Sequence, residues 1–406
     1  MFWHYYNYIA AVMIASQLFF LFQTYRHYRY AVKKSINKHH GYRPRTLLTI
    51  PCKGIDNAFE ENISSFFNLD YDNFHLCFVV ADITDPAYKK LNELKDKLAG
   101  RSRALDVCIV AAGRAVGCSQ KIHNLLYSCT NASKDVEVFA FADSDASVGS
   151  DWLSHLVYPL RKSRHGASTG YRWFVPARNN LASLALSAIN GKIAQLLGPT
   201  IFNQAWGGSM AIRAETFRRI KLDQIWQRAI SDDLSLSYAV KKAHKKIIYA
   251  PGCLVASYEK TTWRELFEFA RRQFLITRVT IPGTWWFGLC SSIYSLAGFW
   301  AGMAIAILAA LSSRDMLAFY ATVPVIFLVG QICRSILRQK MIARLLPENA
   351  HKMKPAMVAD ILGNCIWSWV LFGCIVSSAV GRTITWRGIR YKLISPTETI
   401  IIQEEE

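Results

Sequence analysis

Two stretches of the chain lack charge over lengths that match a lipid bilayer, and this feature constrains the fold more than any other. No charged side chain occurs from Tyr5 to Tyr25 or from Ile281 to Ser313. A helix that crosses a bilayer core needs about 20 apolar residues, so each stretch predicts a membrane span. The chain between them, residues 26–280, has the mixed composition of a soluble domain.

Two further apolar stretches follow, Met316–Cys333 and Met357–Gly381, with the strongly basic segment Arg334–Lys354 between them. Because basic residues follow the first span, the positive-inside rule predicts an external N-terminus and a cytosolic central block. Three crossings after that block would place the C-terminus outside, whereas the basic residues after Gly381 predict a cytosolic tail. We therefore expect one apolar stretch to be re-entrant or to lie in the interface plane, and the sequence leaves open which one.

Many of the basic residues that give the chain its positive net charge lie beside its apolar segments. The formal net charge is +19, with 52% hydrophobic and 19% charged residues, and basic residues such as Arg26, Lys33 and Lys34 directly follow the first span. This placement favours an anionic membrane surface, and no recognition helix or zinc motif indicates nucleic acid. The 10 cysteines form no CxxC pair, which argues against a metal cluster and a disulfide framework.

Between the membrane segments, short apolar runs alternate with helical patterns. The candidate strands are Thr46–Ile50, Leu76–Ala81, Leu105–Ala111 and Val136–Ala142. Such runs, separated by helices such as Ala58–Phe67, predict an α/β domain with a mostly parallel central sheet covered on both faces. Ligands bind at the carboxyl ends of the strands in such sheets, and Asp82 and Asp143 stand at these positions.

These patterns divide the chain into four parts: an N-terminal anchor over 1–25, a cytosolic domain with interfacial helices over 26–280, a membrane region over 281–381, and a basic, then acidic, cytosolic tail over 382–406. The membrane region is expected to hold two or three spans or re-entrant segments. Within the cytosolic domain, Ser183–Phe202 is apolar and helical apart from Lys192. A core helix or a weak extra span would fit, but we expect an interfacial amphipathic helix that guides a lipid.

The acidic motif Asp143-Ser144-Asp145 directly follows a predicted buried strand. Such a DxD motif supplies hard oxygen ligands, which suit the Mg²⁺ or Mn²⁺ that neutralises the diphosphate of a sugar nucleotide. Acidic residues at strand ends also cap turns and helices, and Asp145 would suit a cap for a helix near Trp152. Both uses fit the motif, and we predict that Asp143 and Asp145 bind a metal.

Two other acidic positions follow the same logic. Asp82 would accept hydrogen bonds from a uracil ring or a ribose, and the alternative is a turn before Pro86. Asp232 and Asp233 open a helical pattern, where acidic residues also favour the helix N-terminus by capping. The functional interpretation makes Asp233 the general base that deprotonates an acceptor hydroxyl.

A basic motif, Arg271-Arg272-Gln273, lies shortly before the membrane region, with Arg278 further on. Its guanidinium groups would stabilise a departing diphosphate, and binding of lipid headgroups is an equally good interpretation. Lys121 is a candidate phosphate ligand or an ordinary surface lysine. The adjacent Gly207 and Gly208 allow close backbone approach to a sugar or form a tight turn. In this order, the motifs are typical of a metal-dependent sugar-nucleotide transferase.

On these residues the sequence resembles the ceramide glucosyltransferases, within the wider inverting family that includes cellulose and hyaluronan synthases. The resemblance covers nearly the whole chain and is carried by Pro51-Cys52-Lys53-Gly54, Asp82–Ala87, Gly117–Leu125, Asp143, Asp232-Asp233 and, most specifically, Thr383–Tyr391 in the tail. It implies a GT-A fold, a UDP-sugar donor and a divalent cation. It also implies transfer of a hexose, glucose in that family, to the primary hydroxyl of ceramide with inversion.

The resemblance also implies roles for individual residues. Asp82 would bind the nucleotide, Asp143 the metal and diphosphate, and Asp233 would be the base. Further contacts to the donor are implied for Pro51, Lys53, Lys121, Asp145, Gly207, Gly208, Trp386, Arg387 and Arg390.

The chain departs from the family pattern at two places. The family has a (Q/R)xxRW motif before the last membrane segments, whereas Phe274 and Leu275 stand here where Arg and Trp are expected. Arg278 can supply the missing charge, so Arg271, Arg272 and Gln273 stay the catalytic candidates on this helix. The complete DxD motif resembles the wider inverting family more than the animal ceramide enzymes.

The predicted protein is therefore an integral membrane enzyme whose catalytic domain faces the cytosol, at the Golgi or ER of a eukaryote or the inner membrane of a bacterium. Its partners are a UDP-sugar and a lipid acceptor, ceramide. The alternatives are transfer to diacylglycerol, a sterol or a polyprenyl phosphate, and a processive polysaccharide synthase. A membrane adaptor without activity is the alternative from another class, and the oligomeric state is left open.

Overall fold

The structure is a computed structural model that describes residues 2–37, 39, 41–56, 58–312, 316–386 and 388–404. A long N-terminal helix leads into an α/β domain, which we call the central domain. The elements of this part are α1 (Phe2–Ser35), β1 (Thr46–Pro51), α2 (Phe59–Phe67), β2 (Phe74–Val80), α3 (Pro86–Leu98), β3 (Asp106–Ala111), α4 (Gln120–Thr130), β4 (Val138–Ala142), α5 (Trp152–Val157), β5 (His165–Pro176), α6 (Leu181–Ala194), β6 (Ser209–Arg213), α7 (Ala214–Arg219), α8 (Leu222–Trp226), α9 (Asp232–Lys242), β7 (Lys246–Glu259) and α10 (Trp263–Thr280).

The C-terminal part consists of apolar helices followed by a small sheet. Its elements are α11 (Pro282–Leu296), α12 (Gly302–Leu311), α13 (Leu317–Leu345), α14 (Lys354–Leu362), α15 (Asn364–Ser377), β8 (Thr383–Trp386), β9 (Ile389–Ser395) and β10 (Glu398–Glu404). A short π-helical segment, Ala297–Ala301, joins α11 to α12.

The seven-stranded sheet of the central domain has the order β3-β2-β1-β4-β6-β5-β7. The first four strands along the edge are parallel to one another, β6 is antiparallel to both neighbours, and β5 and β7 are parallel. In β4, Ala140 points into the core on one face, whereas Phe139 and Phe141 point into the core on the other. Helices thus cover both faces, and the predicted α/β domain with a mostly parallel sheet is confirmed.

Helix α6 occupies the region that we expected to be interfacial. Ten of its residues are buried, because it packs between β5 and the helices α14 and α15. Ser187 donates a 2.7 Å hydrogen bond to the carbonyl of Phe174, and Gly191 lies against the ring of Trp173. Neighbouring elements of the protein therefore cover much of α6, and the expected position of Ser183–Phe202 at the membrane interface stays a prediction.

Within the part of the chain that the structure describes, three helices are long and apolar enough to cross a membrane: Tyr5–Ser35, Pro282–Leu311 and Leu317–Leu345. The ring of Tyr6 lies 5.8 Å from that of Tyr320, and Ala31 packs near Met341, so α1 and α13 run in the same direction. The hydroxyls of Ser16 and Tyr294 are 2.7 Å apart, which places α11 beside the middle of α1.

The helices α14 and α15 form a pair bent by 85°. Met353, just before α14, packs with Trp173 and Val175 of the central domain. After α15, the hydroxyl of Ser378 accepts a 2.9 Å hydrogen bond from the indole of Trp285, at the start of α11. Both ends of the bent pair therefore lie on the side of the central domain.

The tail folds back onto the central domain as the antiparallel sheet β10-β9-β8. Ile384, Tyr391 and Leu393 form a buried cluster with Leu275 of α10 and with Ile230, two residues before α9. The amide of Thr399 donates a 2.8 Å hydrogen bond to the carbonyl of Arg228. The tail thus supports the segment that leads into Asp232 and Asp233.

Candidate active site

The acidic residues that follow β2 and β4 lie at one edge of the main sheet. Strand β1 separates these two strands and pairs with both, with Pro51 opposite Val79 and Thr49 opposite Phe141. Neighbouring strands are about 4.8 Å apart, so β2 and β4 lie roughly 10 Å apart across β1. The carboxyl ends of these parallel strands form one side of a cleft.

The centre of the cleft is an ion-pair cluster. The ammonium of Lys121, in the first turn of α4, lies 2.6 Å from Oδ1 of Asp143 and 3.0 Å from Oδ2 of Asp232. The Lys121 side chain is 19% exposed and that of Asp232 only 7%. Residues from α4, from the end of β4 and from the start of α9 therefore meet at one point.

The segment before α4 is held in place by its own polar side chains. Ser119 caps α4 by accepting a hydrogen bond from the amide of Ile122. Gln120 donates to the carbonyl of Gly113 at 2.8 Å and accepts from the amide of Ala115 at 2.9 Å. Asn124 donates to the carbonyl of Val79 in β2 at 3.1 Å. These bonds fix the position of Lys121 relative to the sheet.

Burial and charge oppose each other in this cluster. Burial disfavours the charged form of Lys121, but Asp143, Asp232 and Asp233 outweigh it and raise the pKa of the ammonium well above its usual value. Burial raises the pKa of Asp232 to about 6, against the lowering effect of Lys121. Three carboxylates around one ammonium leave an excess of negative charge that a bound cation would neutralise.

Gly207 and Gly208 pass through the narrowest part of the cluster. A Cβ atom at Gly207 would lie 2.7 Å from Nζ of Lys121, and one at Gly208 would lie 2.8 Å from Oδ2 of Asp143. Both distances are shorter than a carbon atom permits, so only glycine lets the backbone approach these groups. The glycine pair predicted from the sequence therefore lies at the cleft.

Asp233 is half-buried beside Asp232, and three donors position its carboxylate. Oδ2 accepts a 3.0 Å hydrogen bond from the amide of Gly207, and Oδ1 accepts one of 2.7 Å from the amide of Leu234. Ser231, the N-cap of α9, donates its hydroxyl to Oδ1 as well. The bond from Gly207 orients Asp233 toward the glycine pair, whereas Asp232 is directed into the cluster with Lys121.

Arg172 and Glu259 are residues that the sequence analysis missed. The guanidinium of Arg172 lies 4.5 Å from the ring centre of Phe174 and 5.6 Å from that of Trp206. Burial raises the pKa of Glu259, and Arg172 counteracts this. Asp145 is exposed to solvent, although protein atoms surround its carboxyl group. This partial burial, followed by the charge of Asp143, raises the pKa of Asp145, and the charge of Arg172 lowers it.

The residues that the sequence predicts to bind the nucleotide are more exposed to solvent than the cluster around Lys121. Asp82 is exposed, and its Oδ1 accepts 2.9 Å hydrogen bonds from the amide and the hydroxyl of Thr84, which lower the pKa of Asp82. Asp85 accepts from the amide of Gly54 at 2.9 Å, so the loop after β1 is tied to the loop after β2. Pro51 ends β1, and Lys53 is exposed between Pro51 and Gly54.

The basic motif on α10 makes different contacts from those that we expected. Arg271 donates to the carbonyl of Val380 at 3.3 Å, and Arg278 donates to the carbonyls of Ala379 and Gly381. Arg272 lies over the ring of Phe269 at 5.6 Å, and Gln273 is exposed. The structure therefore places Arg271 and Arg278 at the junction of α15 and the tail.

Two of the tail residues that the resemblance identifies, Trp386 and Arg390, lie in the small tail sheet that packs against α10. Trp386 packs against the cluster of Ile230 and Leu275, and Arg390 is exposed on β9. Arg387, also predicted to contact the donor, lies outside the described residues.

The described residues contain no group of three or more His, Cys, Asp or Glu side chains that would hold a metal by themselves. Asp143 and Asp145 would supply two carboxylates, and Mg²⁺ typically uses one or two carboxylates together with water and substrate phosphates. The excess negative charge around Lys121 also suits a divalent cation. The residues present thus fit a metal that binds together with a diphosphate.

A mostly parallel sheet with an acidic cleft at its carboxyl edge is the GT-A architecture of nucleotide-sugar glycosyltransferases. The chain belongs to glycosyl transferase family 21, the ceramide glucosyltransferase family, whose model matches residues 9–399. The resemblance inferred from the motifs is thereby confirmed, and the protein is a glycosyltransferase.

Solved structures with partial similarity come from several sources. A mannosyltransferase from Pyrobaculum calidifontis, in complex with GDP-Man and Mn²⁺, has a TM-score of 0.47 at 15% identity and covers 92% of this chain and 97% of its own. GalNAc-T7 with UDP, GalNAc and Mn²⁺ has a TM-score of 0.37 at 12% identity, over 58% of this chain and 51% of its own. A mycobacterial protein reaches 0.37 at 13% identity, over 60% and 76%. The family assignment rests on the sequence match.

Proposed function

We propose that the protein transfers a hexose, glucose in the first instance, from a UDP-sugar to the primary hydroxyl of ceramide with inversion at the anomeric carbon. The observation that carries this proposal is the convergence of Asp143, Lys121, Asp232 and Asp233 at the glycine pair, in a domain attached to apolar helices. The family supports a lipid acceptor, and the long apolar helices support a position of the cleft near a bilayer.

The donor would bind along the carboxyl edge of the sheet. Asp82 would bind the uridine, with Pro51 and Lys53 between it and the diphosphate. Asp143 and Asp145 would hold Mg²⁺ or Mn²⁺, which when bound would neutralise the diphosphate. Lys121 would shift from Asp143 toward a phosphate oxygen, since its ammonium lies 2.6 Å from Oδ1 of the carboxylate that is proposed to bind the metal.

Asp233 would act as the general base. It takes the proton of the acceptor hydroxyl while the oxygen forms a bond to the anomeric carbon and the bond to the diphosphate breaks. UDP leaves with the electron pair of that bond. The amide of Gly207 and the hydroxyl of Ser231 hold the Asp233 carboxylate in one orientation, which a base needs for a defined hydrogen bond to its substrate.

The helix α10 and the tail would close the donor side of the cleft. Arg271, Arg272 and Gln273 are proposed to stabilise the leaving diphosphate, and Trp386, Arg387 and Arg390 to contact the donor. Arg271 and Arg278 hold α10 next to the start of the tail, because they donate hydrogen bonds to carbonyls of residues 379–381. Arg172 is a second cation for this role, because it lies among Trp206, Phe174 and Phe269 near Asp145.

The proposed topology has three spans and one re-entrant pair. The helices α1 and α13 would run inward and α11–α12 outward, with α14 and α15 entering and leaving on the side of the central domain. This arrangement places the central domain and the tail together on the cytosolic side, as the basic residues predict. It also identifies Met357–Gly381 as the apolar stretch that does not cross.

The decisive experiment offers the purified protein labelled UDP-glucose, UDP-galactose and UDP-N-acetylglucosamine, each with ceramide or a total lipid extract. Mass spectrometry of the product identifies donor and acceptor together, and the Asp233→Asn variant is the matched control. If the label appears on diacylglycerol, a sterol or a polyprenyl phosphate, that lipid is the acceptor and ceramide is not. A labelled polymer would indicate a processive synthase. No product from any donor would support the inactive adaptor.

A further inference from the structure

A cavity lined by both apolar and basic residues lies far from the cleft. It has a volume of about 320 Å³ and is formed by α1, the loop after α6 and the amino-terminal ends of β5 and β7. Because β5 is aligned with β4 through the antiparallel β6, these ends lie at the sheet edge opposite Asp143. The donor cleft and this cavity therefore occupy opposite edges of the same sheet.

The described residues that line this cavity carry positive charge and no carboxylate. Its cations are Lys34, Arg161, Lys162, Arg164 and Lys246, and its lining residues include no Asp or Glu. Among the described residues, none of these cations takes part in an ion pair. Uncompensated cations around a concave surface attract an anion with several oxygens.

The walls of the cavity are held by polar and aromatic contacts. The guanidinium of Arg161 lies 3.7 Å from the ring centre of Tyr158, and the ring of His39 stacks on the same tyrosine at 3.9 Å. Tyr30 donates its hydroxyl to the carbonyl of Tyr249 at 2.8 Å, which attaches α1 to β7. The cavity is therefore built on the main sheet rather than on a free loop.

The cavity also lies beside the membrane end of α1. Tyr30 lines it, whereas Phe22, eight positions earlier, is 59% exposed on the apolar part of the helix. Eight helical residues span about 12 Å, whereas the headgroup layer is only roughly 5–8 Å thick, so Phe22 reaches the hydrocarbon core when Tyr30 lies at the level of the headgroups. Gly198 of the lining packs against His27 of α1.

The rim of the cavity has an apolar loop that faces outward. Leu196 is 52%, Ile201 62% and Phe202 77% exposed, in the loop that connects α6 to Asn203. Exposed apolar side chains beside a basic surface are typical of segments that enter the lipid interface. The loop therefore orients the cavity toward the bilayer.

We propose that this cavity binds the phosphate headgroup of an anionic lipid from the leaflet next to the central domain. The phosphate oxygens accept hydrogen bonds from Arg161, Lys162, Arg164 and Lys246, while Ile201 and Phe202 contact the acyl region. A phosphate monoester lipid such as phosphatidic acid fits best, because its charge approaches two and the cavity offers several cations. The site is independent of the donor and of glycosyl transfer.

The test uses the full-length protein in neutral detergent, titrated with phosphatidic acid and read by native mass spectrometry. We expect Arg161→Gln/Lys162→Gln/Arg164→Gln to bind about a hundredfold more weakly, since each basic residue near a membrane surface contributes roughly fivefold. The matched variant Lys89→Gln/Arg101→Gln/Lys134→Gln removes the same charge outside the cavity and should stay within about twofold of the wild type.

Two further measurements make the test decisive. If the cavity variant has a lower melting temperature, Lys246→Gln alone, at an exposed position, should still weaken binding about fivefold. Glycerol phosphate and inorganic phosphate should not displace phosphatidic acid, because they lack the acyl contact. Equal lipid binding by the cavity variant and the wild type would overturn the site. Full displacement by soluble phosphate would overturn the lipid as its ligand.

Discussion

Two buried clusters of charged side chains, one in the cleft and one beside the membrane helices, differ in how they balance charge. In the cleft, Lys121 faces Asp143 and Asp232 and is open to the donor side. Between α13 and α14, Arg338 and Asp360 form an ion pair whose side chains are 3% and 1% exposed. The first cluster has excess negative charge and access to ligands, and the second is sealed.

The sealed cluster satisfies its polar groups internally. Asp360 accepts from Nε of Arg338 at 2.6 Å and from Gln339 at 2.8 Å, and Arg338 also donates to Gln195 and Ser335. These bonds join α6, α13 and α14. Such a network leaves no group for a ligand, so we interpret it as the connection between the central domain and the bent pair.

Lys192 lies beside the sealed cluster and forms hydrogen bonds with two neutral groups. Lys192 donates to the hydroxyl of Ser368 at 3.0 Å and to the carbonyl of Asn364 at 3.4 Å. Burial, and then Arg338, lower the pKa of Lys192 to about 7. The comparison shows two ways of removing excess charge. The open cluster is negative, and a bound cation would neutralise it. The sealed cluster together with the neighbouring Lys192 is positive, and Lys192 can neutralise it by losing its proton.

The largest effect should follow from Asp233→Asn. Loss of the general base should reduce transfer by up to about 10⁴-fold, or ~5.5 kcal/mol, while UDP affinity changes by no more than about twofold. Turnover and UDP binding are measured on the same preparation, with Asp96→Asn on the exposed face of α3 as the matched control. Wild-type turnover in Asp233→Asn would refute the assignment of the base.

Breaking the sealed pair should affect stability instead of chemistry. Arg338→Met leaves the Asp360 carboxylate buried and unpaired, and should lower the free energy of unfolding by roughly 3–5 kcal/mol. The double variant Arg338→Met/Asp360→Leu removes both charges and should recover most of that loss. Denaturant unfolding in detergent measures both variants. A double variant as unstable as the single one would contradict a purely structural pair.

Asp143→Ala, in the open cluster, should weaken ligand binding and leave the stability of the fold nearly unchanged. The fold should persist, since the site is accessible to water, but metal-dependent UDP binding should weaken about a hundredfold, or ~2.7 kcal/mol. Titrations of UDP with and without Mn²⁺ measure this effect. Equal UDP affinity in the variant and the wild type under both conditions would exclude Asp143 as a metal ligand.

The smallest effect concerns Lys192→Met and its pH dependence. The folded pKa of Lys192, about 7, lies below the unfolded value of about 10.4, so the unfolded state binds more protons between these values. Wild-type stability should therefore rise with pH through this range, and the variant should lack this rise. Near pH 7 the variant should be more stable than the wild type, because folding no longer buries an ammonium, but the loss of the hydrogen bonds to Ser368 and Asn364 offsets most of this gain. Melting curves at several pH values test this, and parallel curves for both proteins would contradict it.

Much of the fold follows from local patterns. The strands that end before Asp82 and Asp143 were predictable because a short apolar run depends only on neighbouring residues. The burial of helix α6 was not predictable from the sequence, because it depends on β5, α14 and α15, which are distant in the chain. The contact of Arg271 with Val380 spans 109 positions, and no local signal indicates it.

The candidate site divides in the same way. Its acidic residues and its glycine pair could be listed from the motifs, but Arg172 and Glu259 stand in strands with no recognisable motif. Their relation to Asp145 arises because β5 and β7 are paired in the sheet, with Arg172 opposite Val255. The sequence around a charged residue in a strand does not indicate which distant side chain it will contact.

The amino-acid sequence alone determined where the chain is apolar enough for a bilayer, which strands end in carboxylates, and the family to which it belongs. Tertiary structure alone decided that Asp232 is buried against Lys121 while its neighbour Asp233 is bound by Gly207, and that the bent pair returns to its starting side. The physical reason is range. Apolar periodicity is a property of adjacent residues, whereas burial and electrostatic potential are summed over side chains from distant parts of the chain.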